Sequence, residues 1–286
     1  MPSHCSVRSC SDRVKQLLLP CFSFSFTNFS TSNAMRSVWS TSTSAAATEH
    51  GTGPLLQSVA NIIFVNIDWK RSRHDTEVST ERNLKQLAAT TTSIVENMEP
   101  AVICCCEAGH PMCPMTREEM YAMAESMRTA WEEAATEHPD IHFIFEDGEP
   151  YLTLWDGNRC RCTCDRILQD VYQVPGHRRT AQAFLCTRPG ESDEEGIDVV
   201  NVHAPSGTPK LTDRQRFQLI RTLLQSSSKT RANSKIGESR CLIGGDMNTQ
   251  EIPLGQILDE LKTKGILKTE VEVMVPLDGK HGDICV

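Results

Sequence analysis

The sequence lacks the long apolar runs that cross a membrane, and it is poor in aromatic residues. Its 286 residues are 39% hydrophobic but only 6% aromatic. A membrane-spanning helix needs about eighteen or more consecutive apolar residues. The nearest candidate, LLLPCFSFSF at 17–26, is short and is interrupted by Pro20 and by serines. The hydrophobic and charged fractions are ordinary for a globular protein, and the length allows one large α/β domain or two small ones.

The chain also lacks the excess of positive charge that is typical of proteins that coat nucleic acid. Its formal net charge is −8 at pH 7, which still permits an enzyme that contacts phosphates through a few cations. One segment, 209–240, is locally basic, with eight Lys or Arg residues against Asp213 and Glu238. It is either a solvated helix face followed by a loop or a track for nucleic-acid phosphates. Its cations are not interleaved with aromatics in the way that indicates base stacking.

The thirteen cysteines are an odd number, so they cannot all be paired within one chain. Many stand in apolar runs such as ICCCE at 103–107, where they are typical of small reduced hydrophobic residues. This favours an intracellular reducing compartment. The segment CRCTC at 160–164 places three cysteines on one face of a strand, if it is a strand. They either pack in the core or bind a metal, although metal sites more often use C-x-x-C spacing.

The first fifty residues differ from the rest in having twelve serines and only two acids, Asp12 and Glu49. A Ser-rich, acid-poor and mildly basic beginning is typical of an organellar transit peptide, and equally of a disordered tail without a targeting signal. We therefore predict a disordered or targeting segment over residues 1–55, followed by a folded domain over 56–286.

Within that domain, apolar residues alternate between strand-like and helix-like spacing, which predicts a layered α/β fold. Helices are predicted at 81–98, at 212–226, near 252–264 and after Thr116, which forms a capping box with Glu119. Strands are predicted at 61–68, 101–106, 141–146, 151–155, 181–186, 198–203, 240–245, 271–275 and 283–286.

Several predicted strands end in polar residues: Asn66, Glu107, His203, and the pair Asp246 and Asn248. Each alone has an ordinary explanation, such as a turn former or a buried histidine. Together they indicate a site, because ligand sites of α/β folds gather at strand ends. Carboxylates and amides bind Mg²⁺, the metal neutralises phosphoryl oxygens, and the imidazole transfers a proton. This inventory suits hydrolysis of a phosphate ester.

In this order the motifs resemble those of the endonuclease/exonuclease/phosphatase superfamily, which has a deoxyribonuclease-like fold. The resemblance covers roughly 58–286 and rests on FVNID, ICCCEAG, NVHAPSG, GGDMNT and KHGDICV. It implies a four-layer α/β sandwich of two mixed β-sheets flanked by helices. It also implies a phosphodiester hydrolase that depends on Mg²⁺ or Mn²⁺, with a nuclease and a nucleic-acid substrate as the first expectation.

The resemblance implies roles for individual residues. Glu107 matches the metal-binding glutamate, and Asn66 the neighbouring asparagine that supports metal or phosphate. Asp246 matches the residue that orients or deprotonates water beside the metal, and Asn248 the one that holds a phosphate oxygen. His203 matches a proton donor.

Further residues follow from the same resemblance. Glu149 looks like the carboxylate that orients His203, with a surface loop acid as the alternative. Arg179, or its neighbour Arg178, stands where the family often has a phosphate-binding arginine, although both are equally well explained as exposed loop residues. Tyr151 either offers a hydroxyl to phosphate or packs within its strand.

The closing motif S-D-H of the family is missing. Asp283 matches the aspartate that pairs with its histidine, and the sequence ends three residues later. We therefore expect a C-terminally truncated domain whose last strand is missing. This leaves a second hypothesis, a catalytically impaired remnant or binding module that keeps the fold. The substrate stays open among DNA, RNA, phosphoinositide and phospholipid headgroup, and the oligomeric state is also open.

Overall fold

The computed structural model describes two packed β-sheets and the helices that accompany them. The residues that it describes are 37–42, 61–67, 76–108, 115–168, 180–193, 196–204, 215, 218, 221–222, 241–246 and 251–265. Within these ranges no helix combines the length and apolar character needed to cross a membrane.

The first sheet contains five strands and is mixed. Its strands are β1 (Ser37–Ser42), β2 (Asn61–Asn66), β3 (Val102–Cys106), β4 (Ile141–Phe145) and β5 (Leu152–Asp156). They lie in the order β1-β2-β3-β5-β4, with β2 and β3 parallel and the other neighbours antiparallel. Both central strands are buried along almost their whole length, as expected for apolar strands that are covered on both faces.

The second sheet contains four strands and is also mixed. Its strands are β6 (Arg161–Leu168), β7 (Ala181–Thr187), β8 (Ile197–His203) and β9 (Cys241–Asp246). They lie in the order β6-β7-β8-β9, and only the last neighbouring pair is parallel. In each sheet, therefore, one parallel pair brings two carboxyl ends to the same edge.

Two helices cover one face of the first sheet. These are α1 (Thr76–Met98) and α2 (Arg117–Ala134). Their apolar stripes pack on alternate residues of the sheet, such as Ile63 and Val65 of β2. The predicted capping box is present at the start of α2, where the Thr116 hydroxyl accepts from the Glu119 amide and the Glu119 carboxylate accepts from the Thr116 amide.

The intervening residues of β2 face the second sheet and form the core between the sheets. Ile62 and Phe64 pack there with Phe184 of β7 and Val199 of β8. A third helix, α3 (Glu251–Thr263), buries Ile257, Leu258 and Leu261. The predicted α/β architecture of two mixed sheets with helices is confirmed.

The structure also differs from the predicted elements in places. Helix α1 begins at Thr76, five residues before the predicted beginning at 81. The prediction began too late because the first turn of the helix lacks the apolar spacing that marks the rest. Strand β1 lies inside the predicted tail of residues 1–55, where serines obscure any strand signal. The domain boundary at 56 stays a prediction.

Three predicted elements are covered in part or not at all. Of the helix predicted at 212–226, residues 215, 218, 221 and 222 are described and are helical. The strands predicted at 271–275 and 283–286 lie outside the described residues, as does the expected loss of the last strand.

Two glycines at the end of β9 allow a close approach of neighbouring backbone and side chains. A Cβ on Gly244 would lie 2.5 Å from the ring of Phe64 on the opposite sheet. A Cβ on Gly245, whose φ is +117°, would lie 2.1 Å from the carbonyl oxygen of Val202 on β8. Glycine is therefore required at both positions, for sheet packing at the first and also for backbone conformation at the second.

We expect Gly245→Ala to destabilise the protein by about 3 kcal/mol or more, because a backbone clash adds to the strain of a positive φ. Urea denaturation measures the change. Gly190→Ala is the matched control, since Gly190 also has a positive φ, of +85°, but faces open space. Equal losses in the two variants would show that φ alone, and not the close approach, requires Gly245.

Candidate functional site

The site lies at one edge of the molecule, where the parallel pairs of the two sheets end. Asn66 ends β2 and Glu107 follows β3, while His203 ends β8 and Asp246 ends β9. His203 and Asp246 are direct register partners on adjacent strands. The four residues that the sequence placed at separate strand ends therefore come together, two from each sheet.

Their polar atoms lie close together, and two of the three short distances run from one sheet to the other. Nε2 of His203 lies 2.6 Å from Oε1 of Glu107 and 3.9 Å from Oδ2 of Asp246. Nδ2 of Asn66 donates a hydrogen bond of 3.0 Å to the same Oδ2 of Asp246. Asn66, His203 and Asp246 are buried, whereas Glu107 is partly exposed at the rim. Three of the four side chains are thus buried, and one carboxylate is partly exposed.

The contact between His203 and Glu107 is short but poorly aligned. Among the described residues, no acceptor completes a well-directed hydrogen bond with Nε2 of His203, although that atom is buried. A buried nitrogen in this condition is costly unless a further group satisfies it.

The backbone at Glu107 is held in an uncommon conformation. Its φ is +55°, in the left-handed region that non-glycine residues seldom occupy. The following residue, Ala108, donates its amide to the carbonyl of Pro150. Strained backbone of this kind collects at functional sites, where the surrounding structure enforces it. The turn carries the Glu107 side chain from the end of β3 towards His203.

A chain of hydrogen bonds leads from the site to Glu149. The backbone amide of His203 donates to the Tyr151 hydroxyl, at 3.2 Å, and this hydroxyl donates to the carbonyl of Thr180. The Thr180 hydroxyl in turn donates to Oε2 of Glu149, at 2.5 Å. Tyr151 is almost fully buried, which agrees with the packing alternative for its ring. Orientation of the His203 imidazole by Glu149 stays a prediction.

Polar side chains inside the core join the sheets beneath the site, and sequence analysis did not single them out. Nδ2 of Asn201 donates to the Cys105 carbonyl at 2.8 Å, and the Thr153 hydroxyl donates to Oε1 of Gln182 at 2.7 Å. Both bonds run from one sheet to the other. The signal for them was a single polar residue in the middle of an apolar strand, as in VVNV and AQAF. Such bonds fix the relative position of the sheets.

The donor atoms at the edge fit a divalent cation. One atom each of Glu107, His203 and Asp246 lies within 4.8 Å of the other two. Two carboxylates and a neighbouring amide are the chemistry that Mg²⁺ and Mn²⁺ prefer. The poorly aligned Nε2 of His203 gives a further reason, since a bound ion or its water shell would satisfy that atom.

Three predicted site residues, Asn248, Asp283 and Arg179, lie outside the described residues, as does Arg178. Their roles stay predictions.

The sequence matches no family model and no curated protein. Solved structures are similar to the chain over about two thirds of its length. TDP2 from Caenorhabditis elegans is 16% identical, with a TM-score of 0.40, over 65% of this chain and 47% of that one. An endonuclease/exonuclease/phosphatase family protein from Bacteroides thetaiotaomicron is 11% identical, with a TM-score of 0.44, over 68% of this chain and 64% of that one.

A third similar structure is ANGEL2, described as a 2′,3′-cyclic phosphatase. It is 15% identical, with a TM-score of 0.41, over 62% of this chain and 46% of that one. The matched part of the chain thus spans about half of the TDP2 and ANGEL2 structures.

Proposed function

We propose that the protein is a divalent-metal-dependent phosphodiester hydrolase of the endonuclease/exonuclease/phosphatase superfamily. The observation that carries the proposal is the convergence of Glu107, His203 and Asp246, whose donor atoms lie within 4.8 Å of one another. These residues come from three different strand ends. Their meeting at one edge supports the motif series on which the resemblance rests.

Glu107 and Asp246 would hold Mg²⁺ or Mn²⁺, with Asn66 beside them. When bound, such a cation would neutralise charge on the phosphoryl oxygens and lower the pKa of the water that it binds. Glu107 directly follows the buried strand β3, and Asp246 is the last residue of β9. Both carboxylates are therefore positioned by strands and not by the tip of a loop. Little reorganisation is therefore needed when charge develops on the phosphate.

The chain's own residues divide the proton transfers between them. Asn66 donates to Oδ2 of Asp246, which fixes that carboxylate so that it can orient or deprotonate the attacking water. The His203 imidazole would donate a proton to the leaving oxygen. Burial of the site excludes bulk water and strengthens each of these electrostatic contacts.

We further propose nucleic acid as the substrate class, on the basic composition of the segment 209–240. Neutralised backbone phosphates would make binding weaken steeply with salt. Asn248 and Arg179 are the proposed contacts of the scissile phosphate.

The test is a turnover assay of the full chain with Mg²⁺ or Mn²⁺ against plasmid DNA, RNA, phosphoinositide and a simple diester. We expect hydrolysis of at least one nucleic acid and none in the presence of a chelator. Turnover of phosphoinositide alone would replace the proposed substrate class. Salt-sensitive binding of DNA or RNA without any turnover would favour the alternative, a binding module that keeps the fold.

A further inference from the structure

Three cysteines that the proposed hydrolysis does not use lie together at the other end of the second sheet. The sulfur atoms of Cys160, Cys162 and Cys186 all lie within 4.8 Å of one another. Cys162 and Cys186 face each other as register partners on β6 and β7, and Cys160 directly precedes β6. The group thus combines a turn and two strands.

This cysteine group is separate from the site at Glu107. Cys186 pairs with Ile197 at the beginning of β8, whereas His203 ends that strand. Six residues of extended chain separate the two positions, which corresponds to about 20 Å. A ligand of the cysteine group would therefore not share residues with the proposed hydrolytic site.

The group lies largely in apolar surroundings. Cys160 is fully buried and Cys186 nearly so, in the core between the sheets, while Cys162 is partly buried beside them. The turn before β6 is fixed, because the amides of Arg159 and Cys160 both donate to the Asp156 carbonyl, at 3.0 and 2.9 Å. These bonds fix the backbone at Cys160, and strand pairing fixes the backbone at Cys162 and Cys186.

We propose that Cys160, Cys162 and Cys186 bind one soft metal ion, Zn²⁺ or Cu⁺, through three sulfur atoms. A zinc–sulfur bond is about 2.3 Å long, so three sulfurs on one ion lie roughly 3.8 to 4.0 Å from one another. The sulfurs, which all lie within 4.8 Å of one another, would need to move closer together by no more than about 1 Å. Thiolate ligands select these two ions over Mg²⁺ or Mn²⁺.

Binding forms three metal–sulfur bonds and releases to solvent the protons that the thiols still carry. It changes no oxidation state, since each ion is supplied in the form that it keeps. The ion would tie the turn after β5 to the β6–β7 pair, so that part of the binding free energy stabilises the fold. Cu⁺ is satisfied by three thiolates, whereas Zn²⁺ would add a water at the partly exposed Cys162 side.

Titration of the reduced full chain with Cd²⁺ tests the site, because each cadmium–thiolate bond adds ultraviolet charge-transfer absorption that oxygen ligands do not give. We expect one equivalent to saturate a band that Cys160→Ala, Cys162→Ala and Cys186→Ala each weaken. Affinity should fall by more than the roughly 10- to 100-fold that loss of an outer-shell partner costs. Competition with Zn²⁺ and with Cu⁺, each held by a chelator, then identifies the preferred ion.

Cys104→Ala is the matched control, since Cys104 is buried in the same core but is not part of the group. Circular dichroism establishes that each variant is folded, and Cys162→Ala, the least buried of the three, keeps the test usable if a core variant is not. An unchanged band in all three variants would overturn the proposal. So would a protein that binds no Cd²⁺ and yields a Cys162–Cys186 disulfide in reducing buffer. Asp246→Asn should leave the band intact.

Discussion

Replacing Asp246 by asparagine will lower the proposed phosphodiester hydrolysis by about 10²- to 10⁴-fold, the usual contribution of a positioned proton-transfer group. The substitution keeps the shape of the side chain but removes its charge and one acceptor oxygen. Oδ2 of Asp246 accepts from Asn66 and lies 3.9 Å from Nε2 of His203. The variant therefore loses both the carboxylate that is proposed to orient or deprotonate the attacking water and one proposed metal ligand.

Steady-state turnover of the proposed nucleic-acid substrates, plasmid DNA and RNA, measures this effect. Asp259→Asn is the matched control, because Asp259 is exposed on α3 and the same chemical change there should leave turnover unchanged. Thermal unfolding of both variants separates loss of chemistry from loss of fold. A folded Asp246→Asn protein with wild-type turnover would remove Asp246 from the mechanism.

Replacing Glu107 by glutamine will weaken Mg²⁺ and Mn²⁺ binding by more than about tenfold, since even outer-shell partners contribute 10- to 100-fold to metal affinity. Oε1 of Glu107 lies 2.6 Å from Nε2 of His203, and the residue stands at the open side of the site. Removing the charge of Glu107 leaves Asp246 as the one remaining carboxylate in the group of Glu107, His203 and Asp246.

Isothermal titration calorimetry measures the metal affinity directly and does not require an active enzyme. Glu118→Gln is the control, because Glu118 is exposed in the first turn of α2. Glu107→Ala is a second variant that removes the side chain altogether and should bind metal no better than Glu107→Gln. Wild-type affinity in both Glu107 variants would place the ion elsewhere.

The cysteines show where sequence reasoning was sufficient and where it was not. The run Cys104 to Cys106 was predicted to pack as small hydrophobic residues, and all three are buried in the core. Burial raises the pKa of Cys105 above its usual value, so its thiol stays protonated at neutral pH and unreactive. The cluster at Cys160 could not be foreseen, because its third member, Cys186, is brought in by strand pairing.

The sequence by itself determined most of the strands and helices in their order, because periods of 2 and 3.6 residues are local properties of the chain. It did not predict β1, and it left open whether β6 is a strand. It also determined the capping box at Thr116, whose two hydrogen bonds span only three residues, and the polar residues that end β2, β3, β8 and β9.

Only the tertiary structure decided which atoms of those residues meet. Glu107 and His203 are far apart in sequence and belong to different sheets, so their 2.6 Å contact depends on how the sheets pack. That packing relies on Gly244 leaving room for Phe64 and on the bond from Asn201 to Cys105. Such contacts are non-local: their geometry is fixed by the packing of side chains from distant segments, which no local pattern encodes.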